Sequence, residues 1–562
     1  MPHRTFSAMT CVLLSFFAFA APTVCGGETL PDGDSLMQAM VDEIERSMHG
    51  LKIEDLPQPY FIQYTAEDRL SFNMRAAYGG LLRSEEDRLR VIASRVRVGS
   101  YELDNTNTGR ASGARATLPL DDDYAALRHT IWRMTDADYK QAVETLTRKQ
   151  AYLKQKNVED RPDDFSPARP VRALEPPAEI AFDRKVWEEN LRKLSARFGS
   201  FPAIQDSHVT LFAGAVNEWI VNSEGTRLRT ADTGVYLGAR AETQEEEGMR
   251  LADSLSYVGL QVDDLPPIET ILADIDEMCE KLIAVSQAPV LEHYTGPVLF
   301  EPVAAGKVFE ALLAHGLCAR PTPLGSGGWA DTSLEKKIGL RILPRSFQVH
   351  DDPGPQRFEN TILAGAYTYD GEAVPPRKVT LVEDGILKTL LAGRAPTRKT
   401  KQTTGHGRSG GFQDARAMIG CLYLSDDKAM SAKELKQELI QAARDEGLDF
   451  GLRIESMNPG GSGALGNPIY AYKVYVNDGH EAMIRGMTFL PVETRSLKHI
   501  LAAGTERNVR NSTSGIPASI ITPAILFEEL ELTKIEREFD KLPILKSPAQ
   551  REERTDRNAS ER

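Results

Sequence analysis

Cysteine is scarce, with five in 562 residues. None of Cys11, Cys25, Cys279, Cys318 and Cys421 forms a Cys-x-x-Cys pair, none lies beyond position 421, and their wide spacing is no disulfide framework. Surplus positive charge is also missing. Lys and Arg number 67 against 81 Asp and Glu, a net charge of −14, which argues against wrapping nucleic acid, because phosphate binding needs a basic face. One local basic run, Arg394 to Lys401 (RAPTRKTK), reads as a solvated loop. The apolar run from Phe6 to Ala21 falls short of the about 20 residues that a membrane span requires. With Arg4 before it and Ala18-Phe19-Ala20 at its end, it reads as a cleaved signal peptide over residues 1–20, so a periplasmic or secreted protein is expected. Cys25 raises a lipoprotein reading that Val24 disfavours, since a small residue belongs there. Cleavage removes Cys11 and leaves Cys25, Cys279, Cys318 and Cys421. Disulfides are then allowed but not specified, and buried free thiols are the reading adopted.

What is present describes an ordinary soluble globular protein, 41% hydrophobic and 26% charged. The length exceeds what one core supports, so two domains are expected, about 28–290 and 293–545, with a charged, disordered tail over 546–562. The fold class is α+β, helices packed on antiparallel sheets, with the C-terminal half mostly strand. Leu36 to Leu51 has helical spacing, and Tyr60–Thr65, Leu70–Ala77 and Arg88–Tyr101 read as strands. Residues from about 105 to 178 read as an inserted helical arm (Tyr124 to Lys156) and a proline-bearing linker, with Trp132 and Tyr139 on the arm's apolar face. A helix over Val186–Phe198 precedes strands at 209–213, 217–222 and 227–241, two of them joined by the turn Asn222–Thr226. Glu245-Glu246-Glu247 reads as a solvated loop, and Ile268–Val285 as the last helix before the boundary near His293. Further on, Asp384-Gly385 is a type I′ hairpin dipeptide. Gly325–Trp329 is a glycine-rich turn that names no ligand. Gly461–Gly466 spells GxGxxG, but the segment after it, Ile469–Val476, reads as a strand where a dinucleotide site needs a helix.

The stretch Tyr294–Arg320, YTGPVLFEPVAAGKVFEALLAHGLCAR, carries the functional question. Ala304 to Leu317 predicts an amphipathic helix holding Glu310 and His315. Five residues place these about 140° apart on an ideal helix, so joint ligation of a metal needs a distorted turn between them. Two readings stand side by side: a residual metal site, or a histidine satisfied near a C-cap, since Gly316 follows it.

That stretch resembles the TldD/PmbA family of metallopeptidase-like proteins, in which an alanine-rich helix bears a His-Glu-x-x-x-His zinc motif. Laid on the pattern without gaps, the first histidine falls on Glu310, the catalytic glutamate on Ala311 and the second histidine on His315. The resemblance extends discontinuously from Pro59 to Leu532. It includes the Asn222–Thr226 turn, Tyr367–Leu391, the Thr403–Gly411 loop (TTGHGRSGG), and Met483–Gly486 with Leu497–Gly504 as the family's closing strand and helix. A family cysteine after that helix supplies the third zinc ligand. Here Asn508–Ser514 (NVRNSTS) occupies the region, and its hydroxyls and amides are poor zinc ligands. The resemblance therefore implies no catalytic residue, at most Glu310 and His315 as metal ligands, and no cofactor, with zinc as the metal if the site is active. Family members pair, one subunit carrying the full motif, so a homodimer or a heterodimer with a full-motif member is expected. Three functions follow: a non-catalytic subunit or peptide-binding partner, an active zinc peptidase with an altered site, and a scaffold holding no metal. His350, His406 and His480, taken as loop residues near turns, are the candidates to complete a site.

Overall fold

The computed structural model describes residues 34–536, apart from 54, 109–112, 159, 325–333, 410–413, 461–463 and 514, together with 542, 543 and 545. The signal segment, Cys25, the Gly325–Trp329 turn, Gly461–Gly463 and the tail from Lys546 lie outside the described residues.

Helix α1 (Ser35–Gly50) starts at Asp34, which accepts the Met37 N–H at 2.9 Å and so satisfies one of the orphan amides of the first turn. Two strands follow, β1 (Pro59–Ala77) and β2 (Gly80–Val98), each 19 residues long and paired as one hairpin. The two strands expected at 60–65 and 70–77 are one. The polar residues between them do not break it, because Asp68 is buried and ion-paired to Arg88 and Arg90 at 2.9 and 2.7 Å.

Helix α2 (Tyr124–Lys156) forms as expected, but not as a projecting arm. Leu127, Ile131, Met134 and Leu146 bury against α1 and β2 in one core. Tyr139 is 1% exposed and belongs to that core, whereas Trp132, 44% exposed, lies on the outer side. The proline-bearing segment is no free linker either. Lys149 of α2 grips Asp164 at 2.6 Å, both fully buried, and residues 172–174 add a short parallel strand.

Helix α3 (Arg184–Ala196), strands β3 (Asp206–Asn222), β4 (Arg227–Gln244) and β5 (Arg250–Gly259), and helix α4 (Ile268–Gln287) complete this half. The Asn222 side chain accepts the Glu224 and Thr226 N–H groups and so folds the β3–β4 turn. The seven-stranded sheet runs 115–117, β2, β1, β3, β4, 172–174, with β5 also on β4. Ile62, Tyr64, Phe72 and Met74 lie in the cores beneath the four helices. By strand alternation Phe61, Gln63 and Thr65 point the other way, toward the C-terminal half, where the Gln63 amide donates to Gly371 O at 3.2 Å.

The C-terminal half contains β6 (His293–Phe300), α5 (Pro302–Leu312), β7 (Phe347–Asp351), β8 (Cys421–Asp426), α6 (Ala432–Asp445), β9 (Phe450–Met457), β10 (Pro468–Tyr475), β11 (Ile500–Ser512) and β12 (Ala518–Lys534). Its eleven-stranded sheet is mixed. The β6–β9 and β8–β12 pairs are parallel, the other pairs antiparallel. The Asp384-Gly385 hairpin has φ of 52° and 72°, the left-handed pair that a type I′ turn requires. Leu497–Gly504 is not a closing helix: a 3₁₀ turn over Thr494–His499 runs directly into β11. Cys279, Cys318 and Cys421 are buried free thiols.

Two charged runs behave differently from the solvated loops expected of them. Glu245 is buried and ion-paired with Arg485 from the other half. Arg394 is 0% exposed. Its guanidinium donates to Ser166 O at 2.8 and 2.7 Å, pairs with Glu224 at 2.7 Å and lies 4.0 Å over the Phe165 ring. A buried cation with several hydrogen bonds and a ring face is a joint between elements, where a run of like charges in sequence suggested only solvent.

Candidate functional site

Helix α5 begins with Pro302 at its first position, where a missing N–H costs nothing. Ala304, Ala305, Val308, Phe309 and Leu312 enter the main core of the C-terminal half. Val303, Lys307 and Glu310, spaced four and three, share the opposite face. The helix stops at Leu312 rather than Leu317. Thr494 Oγ1 donates to the Leu312 carbonyl at 2.8 Å, and the chain tightens into a 3₁₀ turn over Ala314–Leu317. Gly316 fits under Leu334, where a Cβ would come within 2.8 Å of the leucine Cγ.

Val303 and Lys307 line a cleft of about 540 Å³ between the halves. Its opposite wall is β5, presenting Asp253, Ser256 and Tyr257, and β11 adds Asn508 and Arg510. Arg510 donates to Glu310 Oε2 from Nε at 2.8 Å, and its Nη2 lies 2.7 Å from the same oxygen in an ion pair. Gly306 makes room for this, since a Cβ there would meet the Arg510 Cβ at 3.1 Å and Cδ at 3.3 Å. Lys307 Nζ donates to the Met457 carbonyl. Burial, reinforced by the charge of Arg510, lowers the Lys307 ammonium to about 8.

His315 sits exposed in the 3₁₀ turn, its pKa lowered by partial burial and by Arg320. The other histidines stay away from it. His350 is not in a loop but in β7, stacked on Tyr423 with centroids 4.8 Å apart. His406 is fully buried, its Nε2 3.0 Å from Asp351 and its Nδ1 3.0 Å from Thr404. His480, in an exposed turn, contacts Asp478 at 2.6 Å. Among the described residues no three His, Cys, Asp or Glu side chains gather where a metal ion could be held. Ala311, at the position the resemblance gives to a catalytic glutamate, packs against the core.

Zinc sites take about three protein ligands and a catalytic carboxylate. The donors near the motif are one carboxylate already held by a guanidinium and one exposed imidazole, a set that does not fit the group. Reasoning from the sequence missed Arg510, although it stands in the middle of NVRNSTS, the segment weighed for a third ligand. It also missed Lys307, whose signal was its spacing of three from Glu310.

Residues 293–534 match the family described as PmbA/TldA metallopeptidase C-terminal domain. A metalloprotease of Methanothermobacter thermautotrophicus is 24% identical over 242 residues, 42% of this chain and 50% of that protein. One of Archaeoglobus fulgidus is 25% identical over 174 residues, 30% of this chain and 38% of that protein. The chain thus spans half or less of the length of these relatives. Solved structures show the same fold across most of the chain. A candidate modulator of a DNA gyrase from Thermotoga maritima superposes with a TM-score of 0.57 at 17% identity, covering 84% of this chain and 96% of that one. TldE from Thermococcus kodakarensis gives 0.56 at 14% identity, covering 88% and 100%. The C-terminal half is metallopeptidase-like in class. Residues 293–534 belong to the TldD/PmbA family.

Proposed function

We propose that this chain is an exported TldD/PmbA homologue without a working zinc centre, serving as the non-catalytic, peptide-binding member of a pair. The observation that carries this is Arg510 held on Glu310 beside Ala311. A guanidinium cannot ligate a metal and instead engages the one carboxylate at the motif, while alanine removes the group that would take a proton from water. The cleft between β5 and α5 remains large enough for a peptide segment. Pairing rests on the family resemblance and on the outer edge of strand 481–484, which has no strand partner among the described residues and is open to cover by a second subunit. Export rests on Arg4 and the apolar run to Ala21.

One preparation tests the reading. Protein recovered from the periplasm or medium is expected to begin after residue 20, to hold substoichiometric zinc by elemental analysis and to leave peptides uncut. Co-expressed with a full-motif homologue, it is expected to run at the mass of a pair. Stoichiometric zinc together with cleavage abolished by His315→Ala would establish an altered working site and overturn the non-catalytic reading. An intact N-terminus on cytoplasmic protein would overturn export.

A further inference from the structure

The polar wall of the cleft holds donors without acceptors. Arg510 directs both Nε and Nη2 at the same oxygen, Glu310 Oε2, so its Nη1 edge has no partner among the described residues. Lys307 has three N–H donors. Its one hydrogen bond among those residues goes to the Met457 carbonyl, and no carboxylate reaches it at ion-pair distance. The nearer acids are engaged: Glu310 by Arg510, and Asp253 by the Tyr470 hydroxyl at 2.8 Å. Of the other guanidinium groups lining the cleft, Arg357 is tied to Asp264 at 2.7 Å and Arg240 to Glu242 at 3.5 Å. Those two side chains are about half exposed, whereas Lys307 and Arg510 are more withdrawn from solvent and each keeps unused donors among the described residues. Gly306 lets the Arg510 stem cross α5 beside Lys307, and both side chains line the same cleft, close enough for the charge of Arg510 to act on the ammonium.

We propose that Lys307 and Arg510 form a carboxylate-binding pair on the α5 wall, receiving the carboxylate of a peptide lying in the cleft. A carboxylate has two oxygens and no donor of its own, so it can accept from the ammonium and from the Nη1 edge at once. Burial suits it, since a low dielectric strengthens charge-assisted hydrogen bonds. The pair uses a fixed organic cation at the place where the resemblance puts a metal, and binds without activating water. This rests on the peptide-binding reading above and names the chemical group of the peptide that the cleft holds.

The test uses the full mature chain and a dye-labelled octapeptide of Ala, Ser, Gln and Leu, made with a free C-terminus and as the C-terminal amide. A third probe is the amide carrying one internal glutamate. The free acid is expected to bind roughly 10- to 100-fold more tightly than the amide, the gain of one charge-assisted pairing. That preference is expected to vanish in Lys307→Gln and in the double variant Glu310→Gln with Arg510→Gln, which removes both charges together; thermal unfolding checks that each variant is folded. Tight binding of the glutamate-bearing amide, lost in the same variants, would assign the site to side-chain carboxylates. Equal affinity for acid and amide in the wild type would overturn the carboxylate pair while leaving peptide binding intact. Discrimination that survives in both variants would place the carboxylate elsewhere. Failure of every probe to bind would remove the peptide reading and the pair with it.

Discussion

Glu218 on β3 stands directly opposite Glu67 on β1 in the sheet register, a like-charge pair that costs stability. Burial, then the charges of Glu67, Asp232 and Asp370, raise the Glu218 carboxyl to about 8. A carboxyl raised on folding holds its proton in the native state where the unfolded chain has lost it. Its contribution is fully present below the unfolded pKa and is lost as pH rises through the folded value. Stability is therefore expected to fall through the window from about pH 4.5 to about pH 8, by up to about 1.4 kcal/mol per unit from this group. Glu218→Gln, which keeps the shape and cannot ionise, should stabilise the protein more at about pH 9 than at about pH 5. Urea unfolding at the two pH values reads the difference, and a gain independent of pH would show that the charge is accommodated. Asp370 and Asp138, raised to about 8 and about 6 mainly by burial, slope the same way in the parent protein, so the comparison is made against the single variant.

Helix α2 shows how an element can be legible while its place is not. Its apolar spacing and its long proline-free run predict a helix, and Asp123 caps it by accepting the Ala126 N–H at 2.8 Å. Nothing in that pattern says whether its charged residues face water. Lys149 does not: with Asp164 it forms a fully buried pair, and burial lowers the lysine and raises the aspartate. Removing the lysine leaves the buried Asp164 with only the Arg161 guanidinium, at 3.3 Å, to answer its charge. Lys149→Met is expected to cost about 3–5 kcal/mol, seen as a lowered denaturation midpoint. It should also release the segment after α2, seen as faster amide exchange at Asp164 and Phe165, which lie against Tyr101 through hydrogen bonds to its carbonyl. An effect no larger than that of an exposed ion pair would mean that the segment is held by its apolar contacts alone.

At the scale of the molecule, the two halves are joined by exposed ion pairs such as Arg398–Asp160 and by a smaller set of buried polar contacts. Arg394 enters from the C-terminal half and is held by Ser166, Glu224 and Phe165. Its own N–H donates to Glu372 at 2.6 Å, so one residue ties both sides of the joint. Glu245 with Arg485 and Asp253 with Tyr470 add further ties between the halves. Arg394→Met should leave the Ser166 carbonyl without its guanidinium and Glu224 with only neutral donors, Tyr101 and the Ala168 N–H, at a cost of about 3 kcal/mol. It should also uncouple the halves, so that calorimetry is expected to resolve two transitions in the variant and one in the parent. A single transition at an unshifted temperature would assign the coupling to the apolar part of the interface.

The sequence by itself determined what depends on neighbours in the chain: the helices α1 to α4 through apolar spacing, the Asn222–Thr226 and Asp384-Gly385 turns through residues that favour those backbone angles, and the motif helix with Ala311 in it. These are short-range properties, fixed by periodicity and by local hydrogen bonds. Tertiary structure decided what depends on residues far apart. Glu310 meets Arg510 across 200 positions, Arg394 meets Ser166 across 228, and α5 stops at Leu312 because Thr494, 182 positions on, takes its last carbonyl. Charge in a sequence reads as solvent exposure, and only the fold shows which charges have been given a partner and drawn inside. The site was half legible for the same reason. The positions of Glu310, Ala311 and His315 were fixed along one segment, but whether the carboxylate there faces a metal or a guanidinium was settled by which strand the sheet brought alongside it.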